Sequence, residues 1–269
     1  MDQIIELLKY AFLGILQGAT EPIPISSSGH LIIAQELLGI HIEGLSFEIL
    51  VNFASLIAVL YVFRKDIIRV IANSWRFLRT RDHDAKSDFM FAVYVVAGSV
   101  PTALIVFLLG DAVGHLKSTK MIGFTLLLTG IALWLIRNLR GKKADGDLKL
   151  KDAILVGIAQ GIAILPGISR SGSTIVASMA AGMKRDTALR YSFFLYIPVS
   201  FGAMILSVKD MAADPGLSEK ILPYSVAFLC SLVASLIALR WFIGIMAKGN
   251  LLGFAIYCWI VGTAVLIFL

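Results

Sequence analysis

A glutamate, three serines and a histidine stand together in GATEPIPISSSGH, residues 18–30, and an arginine lies between two serines in PGISRSGST, residues 166–174. These residue types can perform proton transfer, nucleophilic attack and anion binding. Glu21 lies four residues beyond Gln17, so the two side chains share a face if the helix continues to Pro22. Its carboxylate suits Mg²⁺ or Ca²⁺, or the role of a base. Ser27 and His30 lie within one turn, as a nucleophile and a proton-transfer partner would. Simpler roles stay open: Ser27 as a helix cap, His30 as a donor to a carbonyl. In both stretches small hydroxyl residues run into an apolar helix, and a helix N-terminus offers N–H groups and partial positive charge to phosphate. Arg170 adds a forked cation matched to phosphate oxygens. The pattern is that of a phosphate or diphosphate site.

The elements that position these groups lie in a membrane. The 269-residue chain is 58% hydrophobic and only 16% charged, with a mean hydropathy of +0.86, which is the composition of a polytopic α-helical membrane protein. Spans are expected near Leu45–Phe63, Asp88–Leu109, Met121–Ile136, Thr187–Leu206, Leu222–Ile243 and Asn250–Leu269. The N-terminus lacks the basic region of a cleavable signal peptide, so the first apolar stretch is expected to remain. Eighteen Lys and Arg fall in the connections on one side of these spans and five on the other. The positive-inside rule makes the rich side cytoplasmic and puts both termini outside. The formal charge of +6 is therefore topology, and nucleic acid is excluded as a partner.

Two apolar regions, residues 3–40 and 150–183, do not fit as simple spans. Each is broken by proline and a Ser/Gly run, and each must start and end on one side. A re-entrant helical hairpin meets both conditions; two ordinary spans with a short outer turn are the alternative. GILQG at residues 14–18 recurs as GIAQG at 157–161, and nine of nineteen positions match without a gap between residues 14–32 and 157–175. The chain reads as one membrane domain, residues 1–269, made of half 1 (about 1–138) and half 2 (about 150–269). Each half is a hairpin followed by three spans. Three crossings invert the second hairpin, which gives an inverted-topology repeat whose broken helices meet at mid-membrane. The breaks at residues 22–30 and 166–174 are expected to converge.

QGATEPIPISSSGH and PGISRSGST resemble the two signature motifs of bacterial undecaprenyl-diphosphate phosphatases of the bacitracin-resistance type, a (Glu/Gln)-x-x-x-Glu motif and a Pro-Gly-x-Ser-Arg-Ser-x-x-Thr motif. The likeness extends along essentially the whole chain. It implies a bacterial cytoplasmic-membrane enzyme that removes the terminal phosphate of undecaprenyl diphosphate, recycling the carrier lipid for cell-wall synthesis. It also implies a divalent cation and a site open to the outer face. Glu21, Ser27, His30 and Arg170 would be the functional core, with Glu21 as metal ligand and Gln17, Ser26, Ser28, Ser169, Ser171 and Thr174 lining the site. Gln17 stands where many members carry glutamate, so Glu21 would hold the cation alone. Partners would be the lipid substrate and membrane lipids, with a homodimer left open. Two alternatives are a flippase of a lipid-linked phosphate and a phosphatase of other polyprenyl or lipid phosphates.

Other polar residues read more plainly. Glu48 is expected at the interface, with contact to the site as the alternative; Glu36 and Glu43 should face outward, and residues 82–88 should form a solvated turn. Cys230 and Cys258 read as small apolar residues, Gly123, Gly130, Gly253 and Gly262 as packing positions, and Trp134, Trp241 and Trp259 as interfacial or lipid-facing.

Overall fold

The computed structural model describes residues 2–40, 42, 46–114, 118–213 and 216–269. Within them the chain is all-helical, without a β-strand. The helices are α1 (Asp2–Thr20), α2 (Ser27–Leu38), α3 (Ser46–Val62), α4 (Arg64–Thr80), α5 (Lys86–Gly114), α6 (Thr119–Ile136), α7 (Leu150–Ile162), α8 (Arg170–Ala180), α9 (Arg185–Ala212), α10 (Leu217–Lys248) and α11 (Leu252–Phe268). Glu43 and Lys117 lie outside the described residues.

Among the described residues four helical stretches are long and apolar enough to cross a membrane, His83–Gly110, Thr119–Ile136, Arg185–Lys209 and Leu217–Lys248, and the bent pair Ser46–Val62 with Arg64–Thr80 makes a fifth if it is one span. The chain is a multi-pass membrane protein. Expected spans also fall on α3 and α11, each of 17 residues, the short end of what a bilayer core of about 30 Å accepts. Solvation by lipid inverts the usual surface. Phe107, Leu206 and Phe268 stand outside, whereas Ser55, Ser178, Ser231 and Ser235 are buried, as helix association without an apolar driving force requires.

Residues 64–80, expected as a connection, form a helix bent by 71° from α3. Ile68, Ile71, Trp75 and Leu78 are exposed along it, at spacings that place them on one face, and Arg64, Lys65, Arg69, Arg76 and Arg79 interleave with them. That is the design of an interfacial helix; its charges hid the apolar stripe from a hydropathy reading. The cation-rich connections meet at one end, where Arg190 at the start of α9 pairs with Asp66 of α4 and with Asp145, and Lys143 pairs with Asp152 of α7 at 2.9 Å. Asp88 is held by Asn73 at 2.6 Å, and residues 83–85 make the expected short turn. Glu36 is exposed.

The two interrupted regions are helix–break–helix. α2, α7 and α8 have 12, 13 and 11 residues, too few to cross a core that needs about 20. The repeated GxxxG pairs explain where these elements pack. A Cβ on Gly14 or Gly18 would lie 2.2 Å from a backbone oxygen of α10, Ala227 O and Ser231 O respectively. One on Gly157 would lie 2.0 Å from Gly98 O of α5, and one on Gly161 2.5 Å from Ile105. Only glycine permits such approach. Thus α1 packs on α10 and α7 on α5, each first arm against a long helix of the other half of the chain.

α6 and α11 close on each other through Gly123 and Gly262. Gly130 receives Trp259, whose indole would stand 2.6 Å from a Cβ there, so Trp259 is a packing residue rather than a lipid anchor; Trp241 is exposed. Gly253 has open space around its missing Cβ and is not a packing position. Cys258 is buried, Cys230 partly so, and both are free thiols. Gly157→Leu is expected to destabilise the protein in detergent by about 1–3 kcal/mol or more, since overpacking here presses on backbone. Gly253→Leu should leave the thermal midpoint unchanged, and equal midpoints for the two variants would contradict this packing.

Candidate active site

The end of α1 sets the first cluster. Glu21 N donates to Gln17 O at 2.8 Å, so the helical turn reaches Glu21 before Pro22 and Pro24 interrupt it. The amide of Gln17 consequently donates to Glu21 Oε2 at 2.8 Å. The chain turns through Ile25, and Ser26 caps α2, its Oγ accepting from Gly29 N at 3.4 Å. Ser26 has φ 69, a region that costs a non-glycine residue about 1–3 kcal/mol. Its carbonyl is held there by His30, through backbone N at 3.2 Å and ring Nδ1 at 2.7 Å.

The second break is built the same way. Ser169 caps α8, accepting from Gly172 N at 3.1 Å. The hydroxyl pairs Ser26–Ser28 and Ser169–Ser171, at 3.4 and 3.2 Å, repeat the arrangement. Threonines of α6 fasten this loop: Thr125 donates to Pro166 O at 2.7 Å, and Thr129 to Gly167 O at 3.3 Å. Gly167 has φ +86 and a Cβ would fall 1.9 Å from Thr125 Oγ1, which fixes glycine there.

The two breaks converge. Ser171 donates to Ile23 O at 3.0 Å, and Arg170 Nη2 pairs with Glu21 Oε1. Glu21 also accepts from the Ser27 hydroxyl through Oε2. One buried carboxylate thus gathers Gln17, Ser27 and Arg170. The guanidinium lies over the Tyr196 ring at 3.6 Å and donates from Nη1 to Ser200 Oγ at 3.0 Å.

A cavity of about 250 Å³ opens beside this cluster, with Glu21, Ser27, Arg170, Ser26, Ser28, Ser169 and Ser171 in its wall. Thr174 lines a chamber of about 10 Å³ behind Glu21, about the space of one water, and it pairs with the Ser192 hydroxyl. Gln17 stands behind Glu21 as a donor. His30 lies apart from the cavity wall. Its ring stacks on Tyr257 of α11, with Nε2 2.8 Å from the Tyr257 hydroxyl. With Nδ1–H on the Ser26 carbonyl, Nε2 is an acceptor already engaged. The expected Ser27–His30 pair is therefore not assembled: Ser27 is paired with Glu21, and His30 binds a carbonyl.

Asn52, Tyr196 and Ser200 escaped the sequence reading of the site, which gave Glu48 contact with it only as the alternative. Glu48 and Asn52 of α3 and Ser200 of α9 line the cavity, and Tyr196 lines the chamber behind. Glu48 thus lines the cavity, the alternative left open by the sequence. Their signal was polar or aromatic residues four apart on apolar helices, Glu48–Asn52 and Ser192–Tyr196–Ser200. No group of three or more His, Cys, Asp or Glu suited to a metal occurs among the described residues. Two carboxylates, an amide and several hydroxyls on one cavity are nonetheless hard oxygen donors of the kind that take Mg²⁺ or Ca²⁺ together with substrate phosphate.

Fold and site together define a multi-pass helical membrane protein with a buried carboxylate–serine–arginine cluster at the meeting of two helix starts. The chain belongs to the family described as bacitracin resistance protein BacA, whose pattern matches residues 10–264. It is 56% identical over the full length of both chains to "Undecaprenyl-diphosphatase 2" of Bacillus thuringiensis (strain Al Hakam). It is 55% identical to "Undecaprenyl-diphosphatase" of Oceanobacillus iheyensis, covering 98% of this chain and 97% of the relative. For "Undecaprenyl-diphosphatase 1" of Halalkalibacterium halodurans the identity is 51%, over 97% and 95%.

A Cβ built on Gly172 lies 3.4 Å from Pro24 Cβ, near the separation found in disulfides, about 3.5–4.5 Å. Pro24→Cys with Gly172→Cys, in a chain with Cys230 and Cys258 replaced by alanine, is expected to cross-link on mild oxidation. A gel shift after cleavage between the halves reads it, and an uncross-linked product would place the two breaks apart.

Proposed function

We propose that the protein hydrolyses undecaprenyl diphosphate to undecaprenyl phosphate and inorganic phosphate, at a site in the bacterial cytoplasmic membrane that opens to the outer face. The names of its full-length relatives support the substrate. The observation that carries the chemistry is Glu21 holding Ser27 on one oxygen and Arg170 on the other. The diphosphate binds at the starts of α2 and α8, and Arg170 exchanges the carboxylate for phosphoryl oxygens. Ser27 Oγ attacks the terminal phosphorus while Glu21 takes its proton, and the bond to the bridging oxygen breaks, releasing undecaprenyl phosphate. Glu21 passes that proton to the departing phosphate oxygen and is again a carboxylate; it then deprotonates a water that attacks the phosphoserine, and returns the proton to the Ser27 oxygen as inorganic phosphate leaves. His30 positions Ser26 and the first turn of α2. Positioning and charge stabilisation provide most of the acceleration in such transfers.

A divalent cation would be held by Glu21 and Glu48, with Asn52 beside them, so that Glu48 supplies the second carboxylate that Gln17 withholds. It would neutralise charge on the diphosphate. The topology we propose is six spans, α3, α5, α6, α9, α10 and α11, with α1–α2 and α7–α8 as re-entrant hairpins of an inverted repeat in one membrane domain, both termini outside. The crossed packing of α1 on α10 and α7 on α5 supports it, as do the matching caps of α2 and α8. A flippase of the lipid phosphate would share that architecture; phosphate release in detergent, where there is no bilayer to cross, separates the two.

Brief reaction with terminally labelled substrate followed by acid quench is expected to leave label on Ser27, absent in Ser27→Ala and never on His30. Glu21→Ala and Arg170→Ala should lower kcat about 10²–10³-fold, the scale for losing one charge-stabilising group, while remaining folded. Labelled phosphohistidine, or an unlabelled but active protein, would replace this scheme with a histidine or a water nucleophile.

Chelation is expected to abolish turnover and added Mg²⁺ or Ca²⁺ to restore it. Glu48→Gln should need at least tenfold more cation for half-maximal rate. A cation requirement unchanged in Glu48→Gln would leave Glu21 as the one carboxylate ligand.

A further inference from the structure

The Arg170 side chain has two duties on the proposed reading. It pairs with Glu21 when the site is free of phosphate, and it must reach phosphoryl oxygens when the diphosphate enters. A long side chain released from its ion pair regains rotamer freedom, and that freedom opposes binding unless something holds the guanidinium in both states. Hydrogen bonds do this poorly, because each fixes one direction. The face of an aromatic ring attracts a guanidinium without prescribing where its N–H groups point.

Tyr196 offers such a face. Its ring lies under Arg170 Cζ at 3.6 Å, and the residue is buried. Its hydroxyl donates to α3, at 2.9 Å to Asn52 O and 3.0 Å to Asn52 Oδ1. The ring is therefore braced between α9 and α3, and Ser200, one turn further along α9, steadies the other end of the guanidinium at 3.0 Å. We infer that Tyr196 is a positioning residue, a fixed platform on which Arg170 moves between Glu21 and the substrate diphosphate. The ring supplies the platform and the hydroxyl sets its place. The inference rests on the assignment of Arg170 as the phosphate clamp.

The test uses the full-length protein in detergent, with inorganic pyrophosphate as head-group probe read by thermal protection, and KM and kcat for undecaprenyl diphosphate measured in parallel. Tyr196→Leu is expected to raise both KM and the pyrophosphate concentration for half-protection at least tenfold. Tyr196→Phe, which keeps the face, should stay within about threefold of the unaltered protein. In an Arg170→Ala background, Tyr196→Leu should add less than twofold, since a residue acting through Arg170 has nothing left to position. Should Tyr196→Leu fail to fold, Tyr196→Met carries the same comparison. Unaltered pyrophosphate protection in the non-aromatic variant, a Phe variant as impaired as it, or a full additive loss in the Arg170→Ala background would each overturn the inference. Protection of Arg170→Ala equal to that of the unaltered protein would instead remove the clamp assignment itself.

Discussion

Glu21 and Arg170 stand 149 residues apart and carry opposite charges into the interior of a lipid-facing protein. Each is costly there alone, since removing one partner of a buried pair leaves an uncompensated charge at a cost of about 3–5 kcal/mol. Much of the architecture can be understood as the means of bringing them together. The backbone must break near the middle of two short helical regions, so each break needs its own caps, Ser26 and Ser169. The arms must approach their neighbours closely, so glycines recur at Gly14, Gly18 and Gly157 against backbone oxygens. The second loop must turn tightly onto α6, so Gly167 takes a positive φ under the Thr125 hydroxyl. A neutral pair at these positions would relax every one of those demands.

The convergence was legible in the sequence because it leaves a repeating trace. A nine-in-nineteen match between two interrupted segments, with an odd number of expected spans between them, is enough to place them face to face. The pairing of Gln17 with Glu21 was equally legible from spacing on a continuing helix. What the spacing could not give was the partner of Ser27. Both Glu21, six residues back across the break, and His30, within one turn along α2, are candidates, and the choice rests on Tyr257, 227 residues from His30, which takes the histidine's second nitrogen. Asn52, Tyr196 and Ser200 were hidden for a related reason. Each is one polar or aromatic residue on an apolar helix, and it becomes part of the site only because α3 and α9 cross beside the hairpins. The helix of residues 64–80 was missed because its cations lowered the hydropathy that marks a membrane element.

Gln17 changes meaning between sequence and structure. As a potential cation ligand it is weak, and the signature tolerates either glutamate or glutamine there. In the fold its amide nitrogen points at the Glu21 carboxylate, so it serves the carboxylate rather than a cation. A glutamate in its place would set two like charges against each other unless a cation or a proton lay between them. Glu48, on the cavity wall, brings a second carboxylate from another helix. A chain with Gln17 can therefore keep a two-carboxylate site by drawing on α3.

The same cluster bears on whether the architecture serves chemistry or passage. Anion binding by a carrier calls for helix starts, an arginine and hydroxyls, all of which both breaks supply. It does not call for a carboxylate accepting from a serine hydroxyl at the mouth of the anion site, and a negative charge there weakens the anion's hold. That arrangement earns its place only if the serine must lose a proton to something. The asymmetry between the halves points the same way: the first break holds Glu21 and Ser27 where the second has Ile164 and Arg170 at the equivalent positions. A carrier built on an inverted repeat profits from keeping its two halves alike, so that each can replace the other as access alternates. On the proposed reading one half holds the groups that react and the other the groups that bind, a division that suits catalysis at a fixed site.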